Sequence, residues 1–198
     1  MADRPLLVAV LAAGSASRFG GGKLDALCAG KPLGRWVLEA VAEAGLAPGI
    51  IVTGKDPPAF AEGAECWAIC INPVASEGQG SSVALAARTA IADGAELLLL
   101  LADMPLVPPS HLQALVESQQ LAATTYPDGT PGVPIFVPNE KLAPLAELAG
   151  GRGAGPFLRQ VPDLRCIEAP PGTLSDVDTD ADLAEIDTQL LVMRQQAG

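Results

Sequence analysis

A chain of 198 residues, 49% hydrophobic and 18% charged, with a mean hydropathy of +0.32, holds too much apolar side chain to remain disordered and has the length of one domain. Its apolar runs, such as residues 97–102, fall far short of the roughly 20 residues of a membrane-spanning helix; residues 1–5 lack a basic start with a cleavage site, so a cytoplasmic protein with a single domain over residues 1–198 and no membrane partner is expected. Twelve Lys and Arg against 23 Asp and Glu, a net charge of −11, argue against a nucleic-acid partner, because duplex binding needs several phosphate-neutralising side chains in one patch.

Residues 6–11 form a continuous apolar run bounded by Gly14, the pattern of a strand buried on both faces. Apolar residues recur at helical spacing over residues 33–44 and stop at Gly45, and residues 49–53 and 66–71 read as short strands. Residues 82–92 are Ala-rich and helical, ending at Gly94. Residues 97–102 predict a second fully buried strand, with Asp103 directly after it. Ser110, following Pro108 and Pro109, is placed to cap a helix running to about Gln120. Residues 122–126 and 133–137 are expected to pair across the turn 127–131, and residues 141–148, 155–160 and 179–191 to be helical. Strands alternating with helices predict an α/β fold with a mostly parallel sheet covered on both faces. Ligands of such sheets bind at the carboxyl ends of the strands.

The charges are unevenly placed. Arg18, Lys23, Lys31 and Arg35 lie in one stretch, whereas residues 168–187 hold seven acids and no base; a basic cluster on an acidic chain points to a small, multiply charged anion. Cys28, Cys66, Cys70 and Cys166 contain no CxxC pair, and His111 is the only histidine, so a Cys/His zinc site is not expected. In a chain this apolar the four cysteines read as buried, reduced thiols.

Residues 11–23 form the richest segment. They follow a strand, offer unhindered backbone N–H groups at glycines, and add the cations Arg18 and Lys23, a combination suited to phosphate. The segment is neither a Walker A loop, since Leu24 follows the lysine, nor a G-x-G-x-x-G turn. Asp103 is placed to hold Mg²⁺, which takes one or two carboxylates plus substrate phosphates, or to cap the turn before Pro105. Thr179 or Asp180 caps the last helix, while Asp176 and Asp178 flank Val177 and share a face of an extended segment, where a second metal ligand is possible. Ser81 and Ser82 open a helix, either as a plain cap or as a seat for an anion or the polar edge of a base.

Together, Leu11-Ala12-Ala13-Gly14 with Arg18, Phe19, Gly20 and Lys23, then Lys31-Pro32-Leu33, Asn72-Pro73 with Gly78, Gly80 and Ser82, Leu101-Ala102-Asp103-Met104-Pro105, and Asp176-Val177-Asp178-Thr179 resemble the MobA-like nucleotidyltransferases. Their order and spacing are most like the molybdenum cofactor cytidylyltransferases, and the similarity spans nearly the whole chain. It implies a Rossmann-like three-layer α/β/α nucleotidyltransferase fold with a mostly parallel central sheet. It further implies Mg²⁺-dependent transfer of CMP from CTP to the terminal phosphate of molybdopterin, a phosphorylated pterin, with release of pyrophosphate. The product would pass to a molybdoenzyme in transient contact. Carried over, Leu11, Ala12, Ala13 and Gly14 hold base and ribose with Gly80, Ser81 and Ser82. Arg18 and Lys23 grip the triphosphate and, with Asp103, are the catalytic residues. Asp103 and Asp178, or Asp176 in its place, bind the metal, and Thr53 and Asn72 line the nucleotide site. Ala13 matches the cytidylyl branch, which implies CTP over GTP. Residues 132–136 and 150–155 depart from the family pattern on the side expected to face the acceptor. Transfer from CTP or GTP to phospholactate or a sugar phosphate therefore stays open, as does a non-catalytic nucleotide-binding protein.

Overall fold

The computed structural model describes residues 4–14 and 21–197, with side chains to residue 193. Strands β1 (Leu6–Leu11), β4 (Ile50–Thr53), β5 (Ala68–Ile71), β6 (Glu96–Leu101), β7 (Ala122–Thr125), β8 (Pro131–Val137) and β9 (Arg165–Glu168) form one seven-stranded sheet in the order β5-β4-β1-β6-β8-β7-β9, and β2 (Leu27–Cys28) and β3 (Lys31–Pro32) form a separate hairpin. β1 pairs in parallel with β4 on one side and β6 on the other; only β8 runs against its neighbours. The sheet is thus mostly parallel, as the alternation of strands and helices predicts.

β1 and β6 read as unbroken apolar runs because each is buried on two faces. Leu98 and Leu100 of β6 turn with Val8 and Val10 toward α1 (Leu33–Glu43) and α4 (Pro109–Glu117), where Val37, Val41, Leu112 and Leu115 meet them. Leu97 and Leu99 face the opposite layer with Ala9 and Leu11, against Val83, Ala86, Ala87 and Ala90 of α3 (Gln79–Ala92). The alanine stripe lets α3 lie close to the sheet. A third cluster joins Cys28, Ala29 and Leu33 to Val177 and to Ile186 and Leu190 of α7 (Asp180–Ala197). Asp187 reinforces that contact by accepting the Ala29 N–H at 2.6 Å.

Several local expectations need correction. The helix after Pro108 starts at Pro109 and ends at Glu117; Pro108 is its cap residue and Ser110 caps nothing, because proline at the first helical position already lacks an N–H to satisfy. α3 starts at Gln79, so Ser81 and Ser82 are buried in its first turn and do not open it. Cys66 lies outside β5 with φ 67. All four cysteines are free, but only Cys28 is buried; Cys66 and Cys166 are exposed and Cys70 is intermediate. Both β5 and β9 are sheet edges, which is why cysteines there meet solvent. The region expected as one helix over 141–148 is a 3-10 turn (Asn139–Lys141) followed by the short α5 (Ala143–Ala146).

His111 is buried in the first turn of α4, its Nε2 2.8 Å from Thr124 Oγ1. The single Thr124 hydroxyl proton goes to the Pro134 carbonyl at 2.7 Å, so Thr124 accepts from the His111 Nε2–H. Burial lowers the His111 pKa from its ordinary 6.5 and keeps the ring neutral. The unfolded chain then binds a proton that the folded chain refuses. Stability is therefore expected to fall as pH drops through about 6.5, and His111→Gln to flatten that step; urea unfolding at pH 7.5 and 5.5 checks both.

Candidate functional site

β1 ends where the sheet order reverses direction: the connections from β1 lead to β4 and β5 on one side, and β6 lies on the other. Crevices form at the carboxyl ends of strands at such a point. The Ala12 N–H donates to Val52 O (2.8 Å) and the Ala102 N–H to Leu11 O (3.0 Å), so three strands deliver their loops to one place. A cavity of about 840 Å³ opens there. Leu11, Ala12, Ala13 and Gly14 line it with Gly21, Gly22 and Lys23, facing Asp103 and Asp178, while Gly78, Gln79 and Ser82 of the α3 start and Gly54, Lys55 and Asp56 after β4 close its other walls. Among the described residues nothing lies within 4 Å of where a Cβ would project from Gly14, Gly21 or Gly22, which leaves that backbone accessible to a ligand.

Lys23, Asp103 and Asp178 meet. The Lys23 ammonium donates to Asp103 Oδ2 at 2.8 Å and stands 3.5 Å from Asp178 Oδ1. One main-chain bond and the cap of α7 hold the C-terminal segment at this point. The Val177 N–H donates to the Asp103 carbonyl at 3.1 Å, with the Val177 side chain buried. At the start of α7, Thr179 Oγ1 accepts the Asp182 N–H (3.2 Å), and the Asp182 carboxylate accepts N–H bonds from Asp178 and Thr179 (3.0 and 2.7 Å). That is a reciprocal cap with Asp in the usual Glu position, and the Thr179 hydroxyl and these N–H groups hold the Asp182 carboxyl below its ordinary range. Asp176 is raised instead, by burial and by the nearby charges of Asp103 and Asp178. Burial, with Asp176 and Asp103 close by, also pushes the Tyr126 phenol up to about 12; its O–H donates to Val133 O at 2.8 Å.

Other expected site residues fall elsewhere. Arg18 lies outside the described residues. Thr53 is fully buried with its hydroxyl on Gly54 O and does not line the cavity. Gly80 and Ser81 are not among the lining residues either. Gly80 packs under a loop whose carbonyls at Ala149, Gly150 and Arg152 lie 2.8–2.9 Å from any added Cβ, and its N–H goes to Gly150 O. Asn72 reaches the cavity edge, but its amide is spent on scaffold: Nδ2 donates to Ser81 Oγ (2.9 Å) and Ser82 Oγ (3.0 Å), and Oδ1 accepts the Val74 N–H. The basic stretch also divides. Lys31 pairs with Glu39 and stacks over Trp36, and Arg35 donates to Gly63 O, both away from the cavity.

Two residues were not legible as site residues. Lys55 brings a second cation to the cavity. Asp25 accepts the Ala59 and Phe60 N–H groups at 2.9 and 2.7 Å, pinning the 3-10 turn that carries Lys23 to the start of α2 (Ala59–Glu62). A lone Asp two residues past a lysine gives no sequence signal for a bond 34 residues away.

A mostly parallel sheet with a glycine loop, a lysine and two carboxylates at its switch point defines an α/β domain of the nucleotidyltransferase type. The chain belongs to the MobA-like NTP transferase domain family, matched over residues 8–165. It is 36% identical over 118 residues to the bifunctional protein GlmU of Rhizobium etli, a match covering 57% of this chain and 26% of that protein. Among solved structures it superposes on a nucleotidyl transferase from Methanothermobacter thermautotroptrophicus with a TM-score of 0.78 at 22% identity, over 96% of this chain and 99% of that one. Rv0371c of Mycobacterium tuberculosis in complex with manganese gives 0.75 at 20% identity, over 93% and 98%. CMP:2-keto-3-deoxy-manno-octonic acid synthetase complexed with CTP gives 0.71 at 16%, over 96% and 99%.

Asp25→Ala releases the turn beneath Lys23. Nucleotide affinity is expected to fall on the order of tenfold through lost positioning, with Asp25→Asn, which keeps one acceptor oxygen, recovering most of it; calorimetric titration with CTP measures both.

Proposed function

We propose that this chain transfers CMP from CTP to the terminal phosphate of molybdopterin, releasing pyrophosphate. The observation that carries the reading is the meeting of Lys23, Asp103 and Asp178 on a cavity floored by open glycine backbone. The acceptor phosphate oxygen attacks the α-phosphorus, a new P–O bond forms, and the α–β bridging bond breaks with its electrons leaving on pyrophosphate. A phosphate monoester is already ionised near neutrality, so no general base is needed, in keeping with a single histidine that is buried away from the cavity.

The family implies a divalent metal, and the donor set fits one. Among the described residues no three His, Cys, Asp or Glu side chains converge, so Asp103 and Asp178 would supply two oxygens and leave the other positions to phosphate and water, the arrangement that suits Mg²⁺. Bound there, the metal would neutralise charge developing on the phosphates. The chain's own part is alignment: Lys23 and Arg18 draw the phosphates to the glycine loop, and the fixed strand ends set the in-line geometry.

The base preference rests on Ser82. Its Oγ accepts the Asn72 amide and it lines the cavity, and we propose that its hydroxyl proton is offered to the base. A donor there suits the O2 and N3 acceptors of cytosine and opposes the N–H edge of guanine. Ala13, which also lines the cavity, agrees with the cytidylyl branch. The synthetase of similar fold noted above was solved in complex with CTP, which supports this reading. We further propose a cytoplasmic protein of one domain over residues 1–198 that hands its product to a molybdoenzyme.

Pyrophosphate release with CTP or GTP, and with molybdopterin, phospholactate or a sugar phosphate, tests the proposal. Release is expected only with CTP and molybdopterin, and activity confined to another acceptor overturns the assignment. Asp103→Asn is expected to lower turnover by at least about a hundredfold, and Ser82→Ala to narrow the CTP-over-GTP preference on the order of tenfold, the worth of one buried hydrogen bond.

A further inference from the structure

We infer that the Lys23 ammonium is an internal counter-ion that fills the cation position between Asp103 and Asp178 in the nucleotide-free protein, so that divalent metal enters with the nucleotide and not before it. The inference rests on the nucleotidyltransferase reading above and concerns how that site loads.

Lys23 Nζ lies 2.8 Å from Asp103 Oδ2 and 3.5 Å from Asp178 Oδ1. Its side chain is 12% exposed, against 24% for Asp103 and 50% for Asp178, so the lysine is the innermost of the three. A magnesium ion sharing these oxygens needs approaches of about 2.0–2.1 Å. The volume that satisfies them is the volume the ammonium fills, and two like charges there repel strongly. Metal binding therefore requires Lys23 to leave, and Lys23 leaves only for another anion.

A triphosphate on the open backbone of Gly14, Gly21 and Gly22 is that anion. The exchange needs no loop movement: Asp25 clamps the turn to Ala59 and Phe60, and the Asp178 segment is held through Val177 and Asp182. Only the flexible four-carbon stem of Lys23 rotates. By linkage, the nucleotide strengthens metal binding and the metal strengthens nucleotide binding by the same factor.

Manganese binding, read by electron paramagnetic resonance on the full chain with and without CTP, tests the inference. Without nucleotide, Lys23→Met and the similarly long, neutral Lys23→Gln are expected to bind Mn²⁺ on the order of tenfold more tightly than the parent, within the usual range of coupling between sites. Adding Asp103→Asn to either variant should abolish the gain, and Lys55→Met, which removes a different cavity cation, should not reproduce it. Equal nucleotide-free affinity in the parent and both Lys23 variants overturns the inference, as does an equal gain in Lys55→Met, which would mark a general field effect. Failure of the parent to bind Mn²⁺ even with CTP, beyond what CTP alone binds, overturns instead the metal-dependent reading on which the inference rests.

Discussion

The pairing of β1 with β6, continuous from Leu6 opposite Glu96 to Leu11 opposite Leu101, is the constraint on which the site depends. It aligns two chain exits that are 90 residues apart in sequence. Because both strands are packed on two faces, a shift of one residue would carry every leucine to the wrong layer. The register is consequently fixed by the core, and the distance from the glycine loop to Asp103 is fixed with it. Placement of the reactive groups is a by-product of burying Leu97, Leu98, Leu99 and Leu100.

The second acid reaches the site by another route. Asp178 comes from the far end of the sequence, held by the main-chain bond from Val177 to Asp103 and by the packing of Val177, Ile186 and Leu190 against the β2–β3 hairpin. That hairpin immediately follows the turn carrying Lys23. The lysine and the late carboxylate thus share one small apolar cluster as their common support, which explains why they meet although neither lies on the main sheet.

Much of this was readable in the sequence, for physical reasons that differ by element. The strands at residues 6–11 and near 97–101 declare themselves because doubly buried strands are uniformly apolar, and the loop and Asp103 inherit their position from those strands. The β2–β3 hairpin went unread because its turn uses Ala29 and Gly30, both at positive φ, where Asn-Gly would have signalled it. β9 escaped because an edge strand with Arg165, Cys166 and Glu168 turned to solvent shows no alternation. Helix starts were misplaced where Pro108 and Gly78 stand as cap residues without a capping side chain. In the site, charge and glycine could be read directly, whereas the roles of Asp25 and Asn72 depend on hydrogen bonds formed only after folding. The same holds for Lys31 and Arg35, whose charges looked like ligand-binding capacity and prove to be engaged locally.

The contact between the α3 start and the loop at residues 149–153 has a consequence for how this scaffold diversifies. Main chain meets main chain there, with a Cβ on Gly78 or Gly80 colliding with the opposing backbone and Gly80 bonded to Gly150. At Gly78 and Gly80 the joint is bare peptide, with no side chain whose rotation can absorb a displacement. The cavity wall at the α3 start and the neighbouring ribbon on the other side of it are soldered together, and remodelling one during evolution obliges the other to follow.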